Sequence, residues 1–212
     1  MYIDVSSNQG RINWREVANN KDLQGVILRA TTQNNKLDVR TMENYNGVLQ
    51  NLPDIKELSA YKFSYARDYI GARIECAQCL TEMRRHGVHF DYLYLDLESH
   101  GGRDYTTSES NAVILGYMDE MAKFDLSDRF RLYFNYNYLK NIIAPIWWQG
   151  TTIPIWLARY NTTMGESFGA NVVLWQYTSA GRIDGITGNV DISKEVTNEH
   201  IFTKRIFGRG TH

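Results

Sequence analysis

Residues 92–98 read Tyr92, Leu93, Tyr94, Leu95, Asp96, Leu97, Glu98, an apolar and aromatic run of the kind that forms an inner strand covered on both faces. Side chains alternate across a strand, so Asp96 and Glu98 project from one face at successive pleats. Two carboxylates held that close do not both ionise freely. Repulsion from Asp96 and burial beneath aromatic rings are expected to raise the proton affinity of Glu98, leaving Asp96 charged beside a protonated neighbour near neutrality. That arrangement makes a general acid. Acids at an arbitrary strand end usually face water, and it is the hydrophobic lead-in that argues otherwise here.

Working outward, the chain alternates strand and helix on both sides of this segment. Tyr2 to Ser6 is a first strand on which Asp4 shares a face with Tyr2 and Ser6, making Asp4 a third candidate acid. Val26 to Thr31 and Leu58 to Ala66 are further strands. Helices are expected at Asp38 to Leu49, with Met42, Tyr45 and Leu49 on one side, and at Asp68 to His86, with Ile70, Ile74, Ala77 and Leu80 at helical spacing and Gly87 as the stop. Downstream, Gly101 and Gly102 mark a loop, and Thr106 with Glu109 has capping-box spacing for a helix to about Phe124. Arg131 to Tyr136 is a fifth strand. The rhythm then shortens, because Ile153 to Tyr160, Val172 to Thr178 and Ile186 to Ile192 are strand-like with little room for full helices between them. The expected fold is therefore α/β: a single irregular (β/α) barrel, TIM-like and parallel, with eight strands and fewer than eight full helices. Active residues in such barrels gather at the C-terminal ends of strands, and Asp4, Asp96, Glu98 and Asp191 all fall near such ends. The barrel is expected to occupy residues 1–193, with 194–212 as a tail in which Lys204, Arg205 and Arg209 are solvated.

Composition narrows the function classes. The 212 residues are 43% hydrophobic and 22% charged, with only 3 Pro, which describes one folded domain of barrel size. A net charge of -1 lacks the basic excess of a nucleic-acid binder. No apolar run approaches the ~18 residues of a membrane span, and Met1 leads straight into a strand, so neither a membrane segment nor an export signal is expected. No glycine-rich phosphate fingerprint follows a strand, which argues against a nucleotide enzyme. The five histidines fall at helix ends, in loops or in the tail and form no nucleophilic trio with Ser and an acid. Cys76 and Cys79 lie three apart inside a helical pattern without further metal ligands nearby, and read as free thiols packed in a helix. Aromatics reach 13%, and flat rings suit both packing and the faces of sugars.

Several ordered motifs resemble glycoside hydrolase family 25, the barrel-fold N-acetylmuramidases of phage endolysins and bacterial autolysins. DVSSNQGRINW at 4–14 is similar to that family's first strand and turn, and YLDLE at 94–98 to its catalytic strand. IWLARY at 155–160 and WQYTSAGRIDGITGNVDIS at 175–193 resemble its closing strands. The resemblance implies a hydrolase of the β-1,4 bond between N-acetylmuramic acid and N-acetylglucosamine in bacterial peptidoglycan, acting at the cell wall without metal or cofactor. Glu98 would be the proton donor, Asp96 its partner that orients the substrate or its acetamido group, and Asp4 and Asp191 the rest of an acidic floor suited to an oxocarbenium-like transition state. Tyr61, Tyr133, Trp156 and Trp175 align with aromatic positions of the family's groove, where core packing is an equal reading for each.

The chain departs from the pattern at two strands. Tyr61, Lys62 and Phe63 stand where Tyr, His and Phe are usual, and Ala30, Thr31, Thr32 and Gln33 lack a glutamate often found there. Altered subsite preferences are the expected consequence. Two other classes compete: a non-catalytic wall-binding module on the same barrel, which a turbidity assay on purified walls separates from an enzyme, and a metal-dependent hydrolase using the same carboxylates around Mg²⁺, which a chelator would silence.

Overall fold

The computed structural model describes residues 1–161, 164 and 171–196. Eight strands close a barrel in chain order: β1 (Tyr2–Val5), β2 (Gly25–Arg29), β3 (Glu57–Phe63), β4 (Leu93–Asp96), β5 (Phe130–Asn135), β6 (Ile155–Ala158), β7 (Val172–Gly181) and β8 (Val190–Glu195). Neighbours from β1 to β7 run parallel. The expectation of an all-parallel barrel is corrected at the seam, where β8 runs antiparallel to both β7 and β1. The connection 182–189 is too short for the crossover of a dozen or more residues that a parallel return requires. Strand β8 also continues past Ser193 to Glu195, which accepts a hydrogen bond from the Tyr2 hydroxyl at 2.7 Å and pairs with Lys56. The basic residues Lys204, Arg205 and Arg209 of the expected tail lie outside the described residues.

Helices are α1 (Trp14–Val17), α2 (Thr41–Asn51), α3 (Tyr69–Arg85), α4 (Thr107–Lys123) and α5 (Tyr136–Asn141). Helix α4 begins at the expected capping box: Glu109 N–H donates to the Thr106 hydroxyl at 3.1 Å, and Thr106 N–H donates to the Glu109 carboxylate at 2.8 Å. Helix α2 starts later than the pattern suggested, because Asp38 accepts from Arg40 N–H at 3.0 Å and from the Ser7 hydroxyl at 2.7 Å and so closes a turn ahead of it. No helix among the described residues is long and apolar enough to cross a membrane.

The core has two layers. Inside the barrel, Tyr2, Ile27, Tyr94, Tyr133, Trp156 and Leu174 fill the lumen. Outside it, Ile3, Val5, Leu93, Leu95, Leu97 and Leu132 meet the helices. The alternation expected for 92–98 is thus realised, with leucines turned out and Tyr94 and Asp96 turned in.

Helix α3 corrects the sequence reading. Ile70 and Ile74 are 57% and 52% exposed, and the buried face is instead Ala72, Glu75, Cys76, Cys79, Leu80 and Met83. Small residues win this face because α4 comes very close: a Cβ on Gly116 would stand 2.6 Å from the Tyr69 carbonyl oxygen and 2.8 Å from the Ala72 Cβ. Glu75 is drawn inward by Lys62 of β3, at 3.5 Å, and also accepts from the Ser64 and Tyr117 hydroxyls at 2.7 Å each and from Tyr65 N–H at 2.9 Å. Cys76 and Cys79 are buried free thiols, and burial pushes Cys79 up to about 11.

Candidate active site

At the C-terminal ends of the parallel strands lies a cleft of about 310 Å³, polar in its lining and rich in carboxylates. Asp4, Asp96, Glu98 and Asp191 all line it. Asp4 and Asp96 arrive on the lumen-facing parity of β1 and β4, and Glu98 follows just past the end of β4. Asp191 arrives differently. It stands at the beginning of β8, and because that strand is reversed its first residues lie at the same end of the barrel, with Asp191 opposite Asp4 in the β1–β8 register.

Each acid has its own surroundings. Asp4 accepts from the Gln176 side-chain amide at 2.9 Å, and the same glutamine's carbonyl accepts from the Tyr133 and Tyr160 hydroxyls at 3.0 Å each. Burial, then the charge of Asp191, pushes the Asp4 carboxyl well above the usual carboxylate range. Burial also raises Asp191, but a hydrogen bond from Asp4 opposes the rise, so Asp4 keeps the proton of this pair. Glu98 accepts from the Asn135 side-chain amide at 3.2 Å.

The expected division of charge between Asp96 and Glu98 is corrected. Burial is the main cause raising Glu98, the Asn135 amide opposes it, and the charge of Asp191 adds to it. Asp96 is only 6% exposed, one of its carboxylate oxygens has no hydrogen-bond partner among the described residues, and burial followed by repulsion from Glu98 and Asp4 lifts it well above the ordinary carboxylate range. In the empty cleft, Asp96 is therefore a stronger holder of a proton than a free carboxylate, not the charged partner the pattern suggested.

Of the aromatics proposed from sequence, Tyr61, Tyr133 and Trp156 line the cleft and Trp175 does not. Tyr133 and Trp156 form its floor, packed edge to face at 4.4 Å, with the Trp156 indole N–H donating to the Ser193 hydroxyl at 3.0 Å. Trp175 is turned outward on β7 and 3% exposed; its indole N–H donates to the Arg159 carbonyl at 2.8 Å, and Lys194 caps its ring at 4.6 Å. It is a packing residue. The parity that turns Trp175 out turns Gln176 in, a signal present in WQY but not used. Sequence reasoning also passed over Arg29, Tyr65, Asn135 and Tyr160. Asn135 closes β5 and caps α5, its side chain accepting from Tyr138 N–H at 2.9 Å, a position that a strand-to-helix boundary makes recognisable.

The departure at Lys62 of β3 resolves as structural. Lys62 is fully buried on the outer face of β3, donates to the Thr32 carbonyl at 3.0 Å and pairs with Glu75. It is absent from the cleft, so an effect on subsite preference has no contact to act through.

With this geometry in view, comparisons with known proteins give a consistent picture. The family model described as Glycosyl hydrolases family 25 matches residues 3–186. Among solved structures, the modular autolysin LytC from Streptococcus pneumoniae in complex with a synthetic peptidoglycan ligand is 24% identical at a TM-score of 0.79, over 91% of this chain and 45% of that one. The bacterial lysozyme from Streptomyces coelicolor is 22% identical at 0.69, covering 91% and 90%. The catalytic domain of endolysin ply40 from bacteriophage P40 of Listeria monocytogenes is 20% identical at 0.68, covering 94% and 93%. These likenesses carry the barrel, and the chain spans less than half the length of LytC. No match was found among curated proteins.

Proposed function

The chain belongs to glycosyl hydrolases family 25, and from that premise we propose that it hydrolyses the β-1,4 bond between N-acetylmuramic acid and N-acetylglucosamine in bacterial peptidoglycan, with Glu98 as the proton donor. The observation that carries this reading is the meeting of four carboxylates from β1, β4 and β8 in one cleft, with Glu98 at its open end held by Asn135. Burial raises the proton affinity of Glu98, which suits it to protonate the glycosidic oxygen as the bond to the anomeric carbon breaks. The leaving sugar departs as a neutral alcohol, and positive charge develops at the anomeric carbon of the sugar that stays behind. Ionised carboxylates in a water-poor cleft stabilise it, and water supplies the new bond to that carbon. Asp96, deep beside Glu98, is placed to orient the substrate's acetamido group through its unpartnered oxygen, and Asp4 and Asp191 complete the floor. Tyr61 and Tyr65 on the wall and Tyr160, 58% exposed at the rim, offer rings to sugar faces.

Mass analysis of fragments released from defined peptidoglycan tests the bond specificity, since N-acetylmuramic acid at the reducing end is expected and N-acetylglucosamine there would refute it. Glu98→Gln keeps size and polarity but removes the transferable proton. Turnover is expected to fall by about 10² to 10⁴ with wall binding nearly intact; near-native hydrolysis by this variant would remove Glu98 from its role.

A further inference from the structure

Two conditions must hold together in the cleft, a proton on Glu98 and a charge on Asp96, and the acids alone do not provide both. Asp96 faces Glu98 on its own segment, Asp4 from β1, Tyr61 from β3 and Tyr133 from β5, with Asp191 beyond Asp4 on β8. None of these carries a positive charge. Lys62 lies behind β3 with its ammonium engaged by Glu75, and its field reaches Asp96 from outside the cleft, more weakly than that of Arg29. Among the described residues lining the cleft, the cation is Arg29, at the end of β2, on the same strand face as lumen-facing Ile27. Its guanidinium is largely unspent: one terminal nitrogen donates to the Tyr65 hydroxyl at 3.4 Å, and Nε has no partner among the described residues.

We propose that Arg29 is a positioning residue whose guanidinium favours ionisation of Asp96 as a glycan strand fills the cleft. An arginine stays charged throughout the working pH range, so its field does not vanish as the acids titrate. A bound glycan displaces water, and the loss of screening strengthens an opposite charge at the same distance. The same desolvation favours the proton that burial holds on Asp96 in the empty cleft, and it is this tendency that the strengthened field of Arg29 opposes. Arg29 thereby divides the labour between two neighbouring acids, favouring charge on the inner one and leaving the proton on the outer one.

This inference rests on the muramidase reading, and its test is built to fail separately. The pH dependence of kcat, which reports the glycan-filled cleft, is measured beside that of kcat/KM on purified peptidoglycan for the unmodified protein, R29Q and R29K, and for the residual activity of D96N with and without R29Q. The limbs are read from kcat. Activity needs Asp96 deprotonated, so raising its proton affinity moves the acidic limb to higher pH. R29Q is expected to move that limb up by about one pH unit, a tenfold loss on the acid side with a smaller loss at higher pH. R29K, which keeps the charge, is expected to hold the limb near its original place even if the rate falls. In the D96N background, R29Q is expected to move nothing. R29M serves as the neutral variant if R29Q does not fold. An unmoved acidic limb in the neutral variant, an equal shift in the D96N background, or a uniform rise in KM at all pH values would overturn the proposal, the last by making Arg29 a simple substrate contact. Loss of activity in E98Q alongside an unmoved limb in R29Q would sink this inference alone, whereas an active E98Q would sink the reading beneath it.

Discussion

Asp96 illustrates what a strand's parity tells and what it leaves open. That Asp96 and Glu98 share a face was legible in Tyr92 to Glu98, but which of them is better hidden from water depends on Asp4, Arg29 and Asp191, contributed by strands remote in sequence. Two expectations follow at this scale. Asp191 supports the proton on Glu98, so Asp191→Asn is expected to move the alkaline limb of the activity profile to lower pH, and an unmoved limb in a pH–rate comparison would remove that role from Asp191. The second concerns stability. The carboxyl of Asp96 binds its proton more tightly in the folded than in the unfolded chain, so its ionisation costs the fold nothing below the ordinary carboxylate range and progressively more as pH rises through its raised value. Asparagine does not ionise. Asp96→Asn is thus expected to stabilise the protein at pH 8 by on the order of 1 to 3 kcal/mol, with the gain shrinking toward pH 4, since each pKa unit is worth about 1.4 kcal/mol. Urea titrations at the two pH values measure it, and an equal gain at both would show that charge is not the cause.

At the scale of elements, α3 and β7 were harder to read than β4 for a common reason. Periodicity weighs apolarity, so Ile70 and Ile74 looked like core, while the family resemblance set Trp175 beside the groove with packing as an equal reading. The deciding contacts were close approach at Gly116, the inward pull of Lys62 on Glu75, and the outward turn of β7 at Trp175. Each involves a partner that local pattern cannot supply. Gly116→Ala adds a methyl group where the Tyr69 carbonyl would stand 2.6 Å away, and is expected to destabilise by about 1 to 3 kcal/mol as α3 and α4 separate. Lys62→Met leaves Glu75 buried without its cation. A loss of about 3 to 5 kcal/mol is expected, because removing one member of a buried pair exposes the full desolvation of the other. The relative kcat/KM on different wall substrates is expected to stay constant in that variant, and a changed ranking among substrates would bring Lys62 back into the cleft's chemistry.

On the scale of the whole molecule, eight strands with few full helices were foreseeable from the shortening of spacings after Tyr136, and the meeting of Asp4 with Asp191 from the placement of both near strand ends. The reversal of β8 was not, although the short connection 182–189 contained the reason. Strand β8 also carries the barrel past Ser193. Lys194 and Glu195 pair with Trp175 and Leu174 of β7, and Glu195 ties to Tyr2 and Lys56, so a chain ending at Ser193 is expected to melt several degrees below one ending at Val196; coincident melting curves would place the boundary earlier. The same seam joins the first strand to the last, and the Asp4–Asp191 pair lies across it. A nascent chain therefore leaves the ribosome with Asp4, Asp96 and Glu98 in hand but without a complete cleft until nearly its final described residues are made. Synthesis itself thus defers a complete cleft to the moment β8 reaches β1, and fraying of that one strand would dismantle the cleft while most of the barrel is still standing.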